Sequence, residues 1–262
     1  MARKIVVTSG KGGVGKTTVT ANLGAALAAL GARVALLDTD FGLNNLDVVM
    51  GVENKIVYDL LDILEGRCRA KQALVQDNTR KNLFVLPSGS VKSSSQITGQ
   101  QIKLIIEGIA PLFDYVLIDC PAGIDVGFHR AVSCADEAIV VATPTLPSLR
   151  DADKVLTVLK SYKPDFIGLV VNRARGDLIM SDKMMMPADI QSLLKTELLG
   201  VLPEEDAVFL SSGKALPKRS DSYTAYKILA TNLHKHTKKI FDVTYKYSGF
   251  FGSIRRSIKR SI

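Results

Sequence analysis

The run Gly10-Lys11-Gly12-Gly13-Val14-Gly15-Lys16-Thr17-Thr18 decides how the chain is read. It satisfies G-x-x-x-x-G-K-[ST] and lies between an apolar run, Lys4–Thr8, and a helix-forming stretch, Lys16–Leu30, that Gly31 closes. Glycines let consecutive backbone N–H groups turn inward around phosphate oxygens, which a Cβ would obstruct. The helix that follows brings its positive N-terminal end to the same point. Gly10 to Thr18 are therefore expected to bind a nucleotide, with Lys16 on the β- and γ-phosphates and the Thr17 hydroxyl on Mg²⁺. Lys11 is a second lysine at a position where most such loops tolerate almost any residue.

Working outward, short apolar runs alternate with longer amphipathic stretches, the pattern of βαβ units around a parallel sheet. Strands are expected at Lys4–Thr8, Arg33–Asp38, Asn82–Leu86, Tyr115–Asp119, Glu137–Ala142, Ile167–Asn172 and Leu198–Leu202. Runs such as Ala138-Ile139-Val140-Val141 do not alternate, as befits strands covered on both faces. Helices are expected at Lys16–Leu30, Thr98–Leu112, Ser148–Lys163, Pro187–Leu194 and Ser222–Phe241, and a loop from Ser88 to Gln96. The fold class that follows is α/β: a doubly wound, mostly parallel sheet flanked by helices, of the P-loop NTPase kind, with a C-terminal amphipathic helix. Residues 1–242 form the nucleotide-binding domain in this reading, and 243–262 a linker and the terminal helix.

Composition narrows the function classes. The chain has 262 residues, 47% hydrophobic and 23% charged, enough for one sizeable core and too apolar for disorder. No apolar run reaches the ~18 residues needed to span a bilayer. The start, Met1-Ala2-Arg3-Lys4-Ile5-Val6-Val7-Thr8, meets glycine and lysine too soon to be a secretory segment, so a cytoplasmic location is expected. Cys68, Cys120 and Cys134 form neither a disulfide framework nor a metal-binding pair. The formal net charge is +8, but between His234 and Ile262 eight basic residues face the single acid Asp242. That stretch carries +7, leaving +1 for the first 233 residues. Such a body is a poor match for a nucleic-acid binder, and none is favoured as a partner.

The surplus charge sits on a patterned tail. At ~100° per residue, Phe250, Phe251, Ile254, Ile258 and Ile262 fall within roughly 120° of one another. Arg256, Lys259 and Arg260 occupy the opposite side and Arg255 borders the apolar sector. A helix of this kind, without acids, suits an anionic membrane surface better than a phosphate backbone, on which five large apolar groups serve no purpose. One copy should bind weakly. Two copies on a dimer should bind far more strongly, because the second insertion is intramolecular.

The segment Lys11 to Thr17 matches K-G-G-x-G-K-[ST], and on it the chain resembles the deviant Walker A ATPases. In that family two subunits sandwich two ATP molecules and the signature lysine, here Lys11, reaches the partner's nucleotide. The resemblance also implies that Asp40 positions or activates the attacking water near Mg²⁺, with Asp38 as a supporting carboxylate. Asp119 is implied as the Walker B aspartate, Gly123 as a switch II N–H donor to the γ-phosphate, and Asn172 as an adenine contact. The catalytic set so implied is Lys11, Lys16, Asp40 and Asp38, and the metal set Thr17, Asp40 and Asp119. An Mg²⁺-dependent ATPase is expected.

Within the family the chain looks most like the ATPases of bacterial division-site placement. The segments that carry this are Val7–Gly10, Gly42-Leu43-Asn44-Asn45-Leu46-Asp47, Asp119–Ile124, Ala135–Ala138 and Ser148–Asp153. Asn44 departs from the family's usual arginine. The implied partners are a second copy when ATP is bound, the division inhibitor MinC on a surface around Ser148–Asp153, and the regulator MinE or another adaptor. The implied location is the inner face of the cell membrane. A flagellar-number regulator, a chromosome-partition ATPase of the same family and a nucleotide-gated membrane adaptor with negligible turnover remain as alternatives.

Overall fold

The computed structural model describes residues 2–41, 45–89 and 97–248. In chain order the elements are β1 (Arg3–Thr8), α1 (Lys16–Ala29), β2 (Val34–Asp38), α2 (Leu46–Met50), α3 (Leu60–Leu64), α4 (Ala70–Ala73), β3 (Val75–Gln76) and β4 (Leu83–Leu86). There follow α5 (Gly99–Ile109), β5 (Tyr115–Asp119), α6 (Val126–Val132), β6 (Glu137–Ala142), α7 (Leu146–Ser161) and β7 (Phe166–Ala174). The last are α8 (Gly176–Ile179), α9 (Pro187–Leu194), β8 (Glu197–Pro203), α10 (Asp206–Leu210) and α11 (Asp221–Lys235). The tail residues Phe250, Phe251, Ile254, Arg255, Arg256, Ile258, Lys259, Arg260 and Ile262 lie outside the described residues, as does Asn44.

The strands form one sheet in the order β3-β4-β2-β5-β1-β6-β7-β8. All neighbours are parallel except β3, which pairs antiparallel with β4 at the edge. Successive residues of one strand feed different cores. Ile5, Val7, Leu117, Ile139 and Val141 pack with Leu23 and Leu27 of α1 and Leu229 of α11 on one face. Val6, Val116, Ile118, Ala138 and Val140 pack with Ile102, Phe128, Leu156 and Ile190, from α5, α6, α7 and α9, on the other. This double burial is why the strands read as unbroken apolar runs.

The seven expected strands are present with ends shifted by a few residues, while β3 is too short to leave a pattern. The expected helix Ser222–Phe241 is a misjudgement at its far end. It stops at Lys235, and His236 turns left-handed at φ 52°. Asn232 explains the stop: its amide donates to Leu199 O at 2.9 Å and Lys239 O at 2.6 Å, while its carbonyl accepts from Lys239 N at 3.1 Å. These bonds fold the chain back along the body. Val243 is buried, Tyr245 Oη donates to Asp221 at 2.8 Å, and Lys246 pairs with the same carboxylate. Gly176 allows this return, since a Cβ there would collide with Val243 O. Residues 243–248 thus lie at the carboxyl rim of the sheet, beside the N-terminus of α11.

Candidate nucleotide site

The carboxyl ends of the central strands converge on one crevice, because the chain leaves β1 and β5 toward opposite sides of the sheet. The glycine loop after β1 is built as its sequence requires. Gly13 and Gly15 hold φ of 78° and 94°. Around Gly13 there is open space where a Cβ would stand, and a Cβ on Gly12 would meet only Ala122 at 3.9 Å. A cradle that side chains would fill is thereby left for a ligand. Gly10 has a different reason: a Cβ on it would collide with the Asp151 backbone of α7.

Two expected metal-site groups meet directly. Thr17 Oγ1 donates to Asp119 Oδ2 at 2.6 Å, and Thr20 Oγ1 donates to Asp119 Oδ1 at 3.1 Å. Among the described residues no three His, Cys, Asp or Glu side chains cluster to hold a metal. Thr17 and Asp119 bring a hydroxyl and a carboxylate to one point, an oxygen donor set that fits Mg²⁺ beside a nucleotide's phosphate oxygens.

Asp38 and Asp119 are register partners on adjacent strands β2 and β5, and both are buried. Burial, reinforced by the facing Asp119 charge, pushes Asp38 up to about 7 despite N–H donors from Asp40, Asn45 and Leu46. Those bonds, at 2.8, 3.2 and 3.2 Å, hold Asp40 in place and start α2. Burial likewise raises Asp119 to about 6, opposed by the Thr17 hydroxyl and the Lys16 charge. A carboxyl raised on folding contributes stability that is complete below its unfolded value near 4 and is lost as pH climbs through its folded value. Without Mg²⁺ and nucleotide, the melting temperature should therefore fall as pH rises from about 4 to about 7, and Asp38→Asn should flatten that slope. An unchanged slope in a calorimetric pH series would show that Asp38 does not titrate there.

The other expected residues take different places. Lys11 is exposed at the loop's tip, its carbonyl accepting from Ser9 Oγ at 2.9 Å. Gly123 N–H, expected to face the γ-phosphate, donates to Ser9 O at 3.2 Å, tying switch II to the end of β1. Asn172 reaches the loop from β7, its Nδ2 donating to Val14 O at 2.7 Å, and it lines a cavity of about 500 Å³ beside Gly15 and Thr18. Glu204, Glu205, Phe209 and Gly213 form that cavity's far wall. Sequence reasoning missed this wall, whose loop has no motif. It also missed Arg130 of α6, buried with its guanidinium 5.6 Å from the Phe41 ring, next to Asp40. Only an unusual arginine in an apolar helix face signalled it. Cys120 is buried with its thiol pushed up to about 12 and Cys134 is buried too, so neither offers a thiolate.

The described geometry is that of a nucleotide site, and comparison with known proteins agrees. Residues 5–217 match the CobQ/CobB/MinD/ParA nucleotide binding domain family. The septum site-determining protein MinD of Synechocystis is 42% identical, the alignment covering 98% of this chain and 99% of that protein. The Aquifex aeolicus MinC:MinD cell division complex superposes with a TM-score of 0.83 at 41% identity, covering 90% of this chain and 97% of that one. Pyrococcus horikoshii MinD, solved with Mg-ADP, gives a TM-score of 0.80 at 32% identity, covering 90% and 97%. Motif, cradle and likeness agree, and the chain belongs to the CobQ/CobB/MinD/ParA nucleotide-binding family, in its MinD branch.

Proposed function

We propose that the chain is an ATP-hydrolysing, ATP-dependent dimerising switch that places the bacterial division site by recruiting the division inhibitor MinC to the membrane. The observation that carries this reading is its match to MinD proteins along nearly its full length, including a relative solved with MinC. Residues 1–242 serve as the ATPase domain. Residues 243–262 serve as the membrane tether, with 243–248 held on the body. Among the described residues no helix is long and apolar enough to cross a membrane.

The reaction we assign is in-line attack of water on the γ-phosphate of ATP. Backbone N–H groups of Gly10 to Thr18 hold the phosphates, and Lys16 neutralises charge on the β- and γ-oxygens. Thr17, Asp119 and Asp40 would hold Mg²⁺ directly or through its waters, and that ion supplies Lewis-acid charge at the phosphates. Asp40 orients the water, and Asp38 fixes Asp40 through its backbone N–H. Lys11 of the second subunit balances charge that develops as the bond breaks. Gly123 must leave Ser9 O to reach a γ-phosphate, so nucleotide binding and switch II movement are linked. Asn172 supports the loop and bounds the base side. The surface around Ser148–Asp153 takes MinC, and MinE or another adaptor shares part of that face.

A fluorescent fusion tests this reading in cells. The full chain should outline the cell membrane, and a fusion ending at Tyr247 should fill the cytoplasm. Equal membrane signal from both would refute the tether.

A further inference from the structure

Arg130 of α6 is only 6% exposed, in a helix whose Phe128, Ala131 and Val132 belong to the apolar core. Taking a guanidinium out of water is costly, and burial holds this one below its ordinary value. The place it occupies is specific. Its guanidinium carbon stands 5.6 Å from the centre of the Phe41 ring, and Phe41 is buried in the same core as Phe128 and Cys120. A cation over an aromatic face is attracted by the ring's quadrupole, and more strongly where water is excluded. Both residues also lie close to the chemistry. Phe41 follows Asp40, whose N–H donates to Asp38 Oδ1 at 2.8 Å and whose carbonyl accepts from Ser88 Oγ at 3.3 Å. Thr39, before them, is tied to Asp119 O through its N–H at 3.1 Å and its hydroxyl at 2.6 Å. Arg130 stands in the second turn of a helix that begins at Val126, three residues after Gly123.

We propose that Arg130 is a positioning residue for hydrolysis: its guanidinium clamps the Phe41 ring, holds Asp40 beside the attacking water, and carries the movement of Gly123 through α6 to Asp40. This rests on the reading of the chain as an ATP hydrolase. Coupling of this kind runs through rigid elements and packed side chains. A shift in the first turn of α6, as Gly123 leaves Ser9 O, displaces Arg130 one turn further on. Phe41 is one peptide from Asp40, so tilting its ring turns the backbone that carries the carboxylate. A displacement of about 1 Å in a catalytic group can cost on the order of 10²-fold in rate, which makes a modest contact consequential. An aliphatic side chain in place of Arg130 would fill the same space without gripping the ring.

The test is single-turnover phosphate release by the full chain, with Mg-ATP and vesicles of phosphatidylcholine and phosphatidylglycerol. Arg130→Met, which keeps most of the side chain's length and removes its charge, should lower the hydrolysis rate about tenfold. ATP affinity and ATP-dependent dimerisation should stay within about twofold of wild type, the split expected when only the transition state is disturbed. Arg130→Lys, which retains a cation on an apolar stem, should lose only about threefold. Phe41→Leu, which keeps the apolar volume and removes the ring face, should lose about tenfold, and the double variant no more than either alone. Phe41→Leu leaves Arg130 in place and reads the contact even where Arg130→Met does not fold. Wild-type rates in Arg130→Met or Phe41→Leu, or losses that multiply in the double variant, overturn the proposal. A loss of ATP affinity or dimerisation large enough to explain the lost rate would make Arg130 a structural residue, with the same consequence. Absence of phosphate release by the wild-type chain refutes the hydrolase reading itself.

Discussion

Lys16→Ala should abolish nucleotide use, lowering ATP affinity by about 10³-fold and bringing hydrolysis to background. The lysine begins α1, directly after Gly15, whose left-handed backbone turns the chain into the helix. A phosphate chain in the cradle therefore meets one ammonium group together with the helix N-terminus. Removing that ammonium leaves the β- and γ-oxygens with N–H donors alone, and charge-assisted bonds of this type are worth about 1.5–3 kcal/mol each. The fold should survive, because the Lys16 side chain is not part of either core. Titration of a fluorescent ATP analogue, paired with thermal denaturation, checks both halves. Binding retained within tenfold would remove Lys16 from the phosphate site.

Lys11→Ala should give the opposite pattern. Monomer affinity for ATP should stay within about threefold, while turnover and ATP-dependent dimerisation fall by about 10³-fold, the scale of a charge supplied in trans. Lys11 stands exposed at the tip of a loop whose backbone is fixed by Ser9, so its side chain is presented outward. Deleting it removes no internal packing. Mixing Lys11→Ala chains with catalytically dead Asp40→Ala chains should restore part of the activity, because the mixed dimer contains one site with both intact groups. Sedimentation equilibrium and phosphate release measure the two effects. Normal dimerisation and turnover by Lys11→Ala would end the cross-subunit role.

Much of this was legible because backbone demands appear as residue identities. Gly13 and Gly15 are glycines since their φ values require it, and the central strands are unbroken apolar runs since both faces are covered. Asp119 was placed by the strand that ends on it. The misses have a common physical cause, since they depend on contacts made across the fold. The end of α11 is set by Asn232 bonding to Leu199 and Lys239, whereas Ile240 and Phe241 fall at helical spacing and mislead. Arg130 belongs to no motif, and only the packing of α6 sets its guanidinium over Phe41. The bond from Gly123 to Ser9 depends on a turn that local sequence allows but does not dictate. Short helices such as α2 and α10, five residues each, carry too few positions for a period to show.

We propose that nucleotide state controls membrane attachment through the tail. Co-sedimentation of the full chain with anionic vesicles tests it most directly, comparing ADP with a non-hydrolysable ATP analogue. Attachment should be strong with the analogue, which pairs two tails on one dimer, and weak with ADP, which leaves each tail alone. Equal sedimentation in the two nucleotides would contradict the account.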